Sequence, residues 1–125
     1  MGTEIYLKSM AGLFFLAIGM PLILAPLLWA RLMRWNVPET KDLTNYFGRC
    51  LGSVVTAICI IYWRYAGDAT LHPLMLELLL VAFGLMVAVH IWGAITRTQP
   101  WTETAEIPVY FALSSLAAAF RWGWF

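Results

Sequence analysis

Residues 74–95 read LMLELLLVAFGLMVAVHIWGAI, and Glu77 is their only side chain charged at pH 7 with histidine neutral. As an α-helix rising ~1.5 Å per residue, this stretch reaches roughly 33 Å, enough to cross a hydrocarbon core of about 30 Å. A helix on the surface of a soluble domain carries an apolar stripe and a polar back. Here the apolar side chains run all the way round, which suits lipid as the surrounding solvent.

The rest of the chain extends that reading. Its 125 residues are 62% hydrophobic and 12% charged, against about 45–50% and about 25% in soluble domains. A soluble fold this small has too little interior to hide so much apolar surface. The formal net charge is +1, and the eight Lys and Arg are scattered. No basic face for nucleic acid is expected.

Working towards the N-terminus, Thr44–Trp63 forms a second expected span, with Arg49 inside it. The uncharged run Met10–Trp29 forms another, at about residues 10–30, and Pro21 and Pro26 should kink it because each removes a backbone donor. Lys8 before this run resembles a signal-peptide start, but the run is long for one. Tyr6 stands where a myristoylation signal needs Ser or Thr. Towards the C-terminus, residues 106–122 give a fourth span whose uncharged core, Ile107–Phe120, is short. The loops are 31–43, 64–73 with Gly67-Asp68 as its turn, and 96–105 marked by Pro100. The seven tryptophans fall near the expected span ends, where an indole favours the membrane interface. The expected fold is therefore all-α, a single-domain integral membrane four-helix bundle over residues 1–125, running up-down-up-down with short loops.

Orientation follows from charge. Arg31, Arg34, Lys41 and Arg97, with Arg49 just inside a span, fall on one side, and Lys8, Arg64 and Arg121 on the other. The excess puts loops one and three in the cytoplasm and both termini outside.

Ionisable groups inside spans are functional suspects, and there are four: Arg49, Glu77, His90 and Glu106. On span two, Asn45, Arg49, Ser53 and Thr56 recur at helical spacing, flanked by Gly48 and Gly52 as GxxxG. That stripe is expected to turn inward, because small residues let backbones approach and polar ones seek protein. The same is expected of Glu77, Gly84 and Ala88 on span three, and of Glu106, Tyr110, Ser114, Ala117 and Arg121 on span four. Folding the chain up and down suggests two charge layers. One joins Arg49, His90 and Glu106 with Asn45 and Ser53, and the other pairs Glu77 with Arg64 or Arg121. The layers read either as staples that fix register or as a polar pocket for a quinone or lipid headgroup.

No metal role is expected. His90 has no partner histidine at its depth, since His72 falls at the opposite end of the span, and a core histidine is the simpler reading. Cys50 and Cys59 are nine residues apart and should point to opposite sides of one helix. Ser114 and Ser115 lack a nucleophile motif. No catalytic residues are assigned.

The size, the four spans and the sequence Phe47-Gly48-Arg49-Cys50-Leu51-Gly52 at the start of span two resemble the small four-helix bacterial membrane proteins grouped around DoxX. The Phe-Gly is also similar to that of four-span scaffold proteins in sterol-synthesising membranes. The resemblance implies a bacterial inner-membrane protein and a link to quinone-coupled oxidation, with no cofactor of its own beyond a possible quinone. The small multidrug exporters carry a glutamate in their first span, where this chain has no charge. The functional expectation is a non-catalytic accessory or scaffold subunit that contacts the bilayer and other membrane subunits. The alternative is a component of a quinone- or lipid-linked oxidoreductase that binds a hydrophobic ligand at Arg49, His90 and Glu106.

Overall fold

The computed structural model describes residues 2–124. Among them every regular element is helical: α1 (Gly2–Phe14), a π-helical turn (Phe15–Gly19), α2 (Met20–Leu24), α3 (Pro26–Leu32), α4 (Asp42–Tyr65), α5 (His72–Thr96), α6 (Trp101–Ala105) and α7 (Ile107–Trp122). Three stretches are long and apolar enough to cross a membrane: Gly2–Leu24, Asp42–Tyr65 and His72–Thr96. This fits an integral membrane protein. The 16 residues of α7 reach only about 24 Å at ~1.5 Å per residue. The chain forms two compact units, Met1–Ala69 and Thr70–Phe125.

The first unit packs α1, the π turn, α2 and α3 against α4. Its first long helix starts earlier than the charge pattern suggests, at Gly2, and stops at Leu24. Lys8 can lie within it because its Nζ bonds Glu4 Oε1 at 2.7 Å, one turn back. The stop comes at Ala25 (φ −145°, ψ 62°), immediately before Pro26, whose ring disfavours a helical residue ahead of it. Pro21 acts differently. It has no N–H, so the Ala17 carbonyl four residues upstream loses its α-helical donor. The backbone widens over this segment, with Met20 N–H bonding Phe15 O across five residues. The Trp29 indole N–H then donates to Ala17 O at 2.9 Å.

Close approach to α4 rests on three glycines. A Cβ on Gly52 would lie 2.8 Å from Ile23 N and 2.9 Å from both Gly19 O and Leu22 Cβ. A Cβ on Gly48 would sit 2.5 Å from Pro26 Cβ, and one on Gly19 2.6 Å from Thr56 Oγ1. The buried face of α4 is thus Gly52, Cys59 and Tyr62. Within the first unit the polar stripe does not line the packed side: Arg49 and Ser53 are exposed, and Asn45 is half-buried. Ser53 does not need a neighbouring helix, because its hydroxyl donates to Arg49 O at 2.8 Å within α4. Cys59 is buried and Cys50 exposed, on opposite sides of the helix.

In the second unit α5 packs along α7. The seam on α5 is Leu76, Leu79, Phe83, His90 and Gly93, all buried, at steps of three, four and seven residues that keep one helical face. Within the second unit the packed face of α5 is not that of Glu77, Gly84 and Ala88, which are all exposed. A Cβ on Gly84 would meet nothing within 4 Å. Glu77 sits one residue off the seam and is rotated out of it. Among the described residues it forms no ion pair with Arg121. On α7, Tyr110 and Ala117 are buried and Ser114 and Arg121 half-buried. Ser114 Oγ reaches Leu80 O at 3.4 Å.

Candidate functional site

The site lies where α5 ends and the chain turns back. Thr98 N–H bonds Gly93 O at 3.0 Å and Arg97 N–H bonds Ala94 O at 3.3 Å. These bonds close the helix in a Schellman motif. Its left-handed position is Arg97, at φ 55° and ψ 35°, where glycine is the usual residue. Gln99 then folds back over α5. Its Nε2 donates to His90 O at 2.9 Å and to Thr104 Oγ1 at 3.1 Å. A side chain on Gly93 would run into Gln99. Pro100 restarts the helix as α6, so the segment read from sequence as a polar loop carries a helical turn laid back over the end of α5.

This return brings three ionisable groups together. His90 is 3% exposed and Glu103 8%, both buried inside the unit. His90 Nε2 lies 3.1 Å from Glu103 Oε2 and 3.8 Å from Glu106 Oε2. One ligand atom from each of the three residues lies within 4.8 Å of the other two. His90 Nδ1 is 2.7 Å from Met86 O, one turn back on α5. A carbonyl only accepts, so Nδ1 carries a proton. The Nε2 edge therefore faces two carboxylates, either as a lone pair or, in the imidazolium form, as a single N–H. The Tyr110 ring packs 5.1 Å from the imidazole, and its hydroxyl hydrogen-bonds the Glu106 carboxylate.

Of the residues expected to share a polar layer, the second unit brings His90 and Glu106 together. Arg49, Asn45 and Ser53 belong to α4 in the first unit, as does Arg64 of the expected second layer. Two members of the cluster were missed in the sequence. Glu103 was passed over because residues 96–105 read as a loop, and Tyr110 was read only as part of an inward stripe. The available signal was the spacing Glu103-x-x-Glu106, which puts two carboxylates on one side of any helical turn.

Comparison with protein-family models, curated proteins and solved structures finds no significant match.

Proposed function

We propose that this protein is a non-catalytic accessory or scaffold subunit of a larger membrane complex, built as a four-span bundle in which α6 and α7 together make the fourth crossing. The observation that carries the reading is where the chain leaves its charges. Arg49 on α4 and Glu77 on α5 are exposed on helices that are otherwise mostly apolar. A charged group within a span is expensive in lipid and normally faces protein or water. A partner helix against these faces would supply that environment. On α5 the same side offers Gly84 and Ala88, a small-xxx-small pair whose backbone a partner could approach closely. In the first unit, α1, the π turn and α4 leave an apolar groove of about 420 Å³ lined in part by Ala11, Leu16, Ile60 and Trp63.

The DoxX-like resemblance, the bacterial inner membrane and the cytoplasmic placement of loops one and three belong to the same proposal. Their support is the Phe47-Gly48 pair in the second turn of α4 and the presence of Arg31, Arg34 and Lys41 in loop one. A quinone or lipid headgroup held by Arg49, His90 and Glu106 ranks second, because in the second unit His90 is already buried against Glu103 and Tyr110.

The test is native mass spectrometry of the full chain extracted directly into polymer-bounded nanodiscs. The expected result is co-purification with defined membrane subunits, lost in Gly84→Leu although helix content and melting are retained. A lone monomer from the wild-type chain would sink the reading.

A further inference from the structure

We infer that His90, Glu103 and Glu106 form a binding site for a divalent first-row transition-metal ion at the junction of α5, α6 and α7. The argument starts from the tautomer. Met86 O at 2.7 Å holds the proton of the imidazole on Nδ1. Metal-binding histidines are commonly oriented in this way, with the non-ligating N–H given to a carbonyl so that the other nitrogen presents its lone pair. Here Nε2 points at two carboxylate oxygens, 3.1 Å and 3.8 Å away. Three lone-pair donors aimed at one place repel each other unless something positive stands between them.

A proton is the simplest candidate, and it satisfies only part of the geometry. On Nε2 it would bridge to Glu103 at 3.1 Å and leave Glu106, at 3.8 Å, outside hydrogen-bond range. A dication reaches all three. Metal–ligand bonds of about 2.0–2.2 Å put neighbouring ligand atoms roughly 3–3.5 Å apart, and the three atoms here lie within 4.8 Å of one another. Small side-chain rotations close the remainder. The charges also balance: two carboxylates and a neutral imidazole bring minus two, which a dication cancels in a buried site. Tyr110 orients Glu106 through its hydroxyl, and its ring flanks the imidazole.

The donor set narrows the ion. One imidazole nitrogen, two carboxylate oxygens and no thiolate suit Zn²⁺, Mn²⁺, Fe²⁺ or Co²⁺ over Cu⁺. Ca²⁺ wants six to eight oxygens, which this cluster does not provide. Three protein ligands leave at least one coordination position for water or another small ligand.

The probe is ZnCl₂, titrated calorimetrically into the purified full-length chain after chelator treatment, with metal content counted by mass spectrometry after dialysis. The expected result is one Zn²⁺ per chain, with affinity lowered about 100-fold or more in Glu106→Gln and in Glu103→Gln, since loss of a supporting partner alone costs about 10–100-fold. His72→Ala should bind as the wild type does. Melting in chelator checks the fold, and Glu106→Gln keeps the test decisive if Glu103→Gln does not fold, because Glu106 is the more exposed of the two carboxylates. Wild-type binding no tighter than that of Glu106→Gln would overturn the proposal and leave a proton-held ion pair. Binding lost in His72→Ala would overturn it too, as surface capture. Neither result bears on the accessory-subunit reading, which rests on other residues.

Discussion

Replacing Trp29 by phenylalanine should destabilise the first unit more when Pro21 is present than when it is replaced. The Ala17 carbonyl has lost its α-helical donor because residue 21 is proline, and the Trp29 indole stands in for it at 2.9 Å. Trp29→Phe removes that N–H and keeps an aromatic ring, so a carbonyl on an apolar helix is left unpaired. Such a loss costs about 1–3 kcal/mol. The smaller ring adds a packing cost that we set at about 1 kcal/mol for a half-buried side chain. In a Pro21→Ala background residue 21 regains its N–H and can close the ordinary bond to Ala17. Trp29→Phe should then cost the packing part alone. The coupling between the two positions is therefore about 1–3 kcal/mol, a change of about 5- to 150-fold in the unfolding equilibrium. The assay is reversible unfolding in mixed micelles of increasing sodium dodecyl sulfate, followed by helix ellipticity, on all four chains of the cycle. Equal costs of Trp29→Phe in both backgrounds, within about 0.5 kcal/mol, would refute the claim that the indole compensates for the proline.

Gly52→Ala should destabilise by about 3 kcal/mol, towards the upper end for overpacking, because the new methyl meets the backbone atoms Ile23 N and Gly19 O as well as a side chain; the same detergent titration reads it. Arg97→Gly should stabilise the chain by about 1 kcal/mol by relieving the left-handed conformation at the end of α5, seen as a higher melting temperature. Gln99→Leu removes the two hydrogen bonds that hold the return segment to His90 O and Thr104 Oγ1; a loss of about 1–2 kcal/mol is expected, with faster amide exchange across 100–105. Glu4→Gln should cost no more than about 0.5 kcal/mol, because the Lys8 pair is partly exposed and lies within one helix.

The long helices could be read from hydropathy because their signal is additive over some twenty residues and survives an interruption. Glu77 and His90 do not break α5, and Arg49 does not break α4. What hydropathy does not carry is rotation about the helix axis. Arg49 and Ser53 were expected inward on the premise that polar groups in a span need protein. Ser53 meets that need with the carbonyl of its own preceding turn, and the inward side is chosen instead by Gly48 and Gly52, where backbones come closest. On α5, too, the side that packs within its unit is not the one bearing the charge. The phenylalanine-leucine seam outweighs one glutamate and two small residues in setting which side packs, and apolar residues on every side conceal the seam. The first helix begins eight residues ahead of the expected span: Lys8 was read as a boundary, but Glu4, one turn away, pairs with it inside the helix.

The site was half legible, and the missing half follows from how the chain turns. His90 and Glu106 stood out as ionisable groups in apolar surroundings, and a span-by-span count placed them at the same end. Glu103 lay in the stretch Arg97–Ala105, where Pro100 and a run of polar residues read as a loop. A loop would scatter those residues into water. The stretch is instead a helix stop followed at once by a helix start, and both ends of the turn are fixed by hydrogen bonds to α5: Thr98 to Gly93 O and Gln99 to His90 O. With the turn tied to the residue that bears the imidazole, the next helical turn has one place to go. Glu103 and Glu106, three residues apart, then fall on the side facing Nε2. The bond from Gln99 to His90 O and the bond from Nδ1 to Met86 O thus act together, one delivering the carboxylates and the other aiming the ring at them. A sequence scan could find such a site by asking what lies within one helical turn after a proline that closely follows a histidine-bearing helix end. Hydropathy alone discards those residues as a linker.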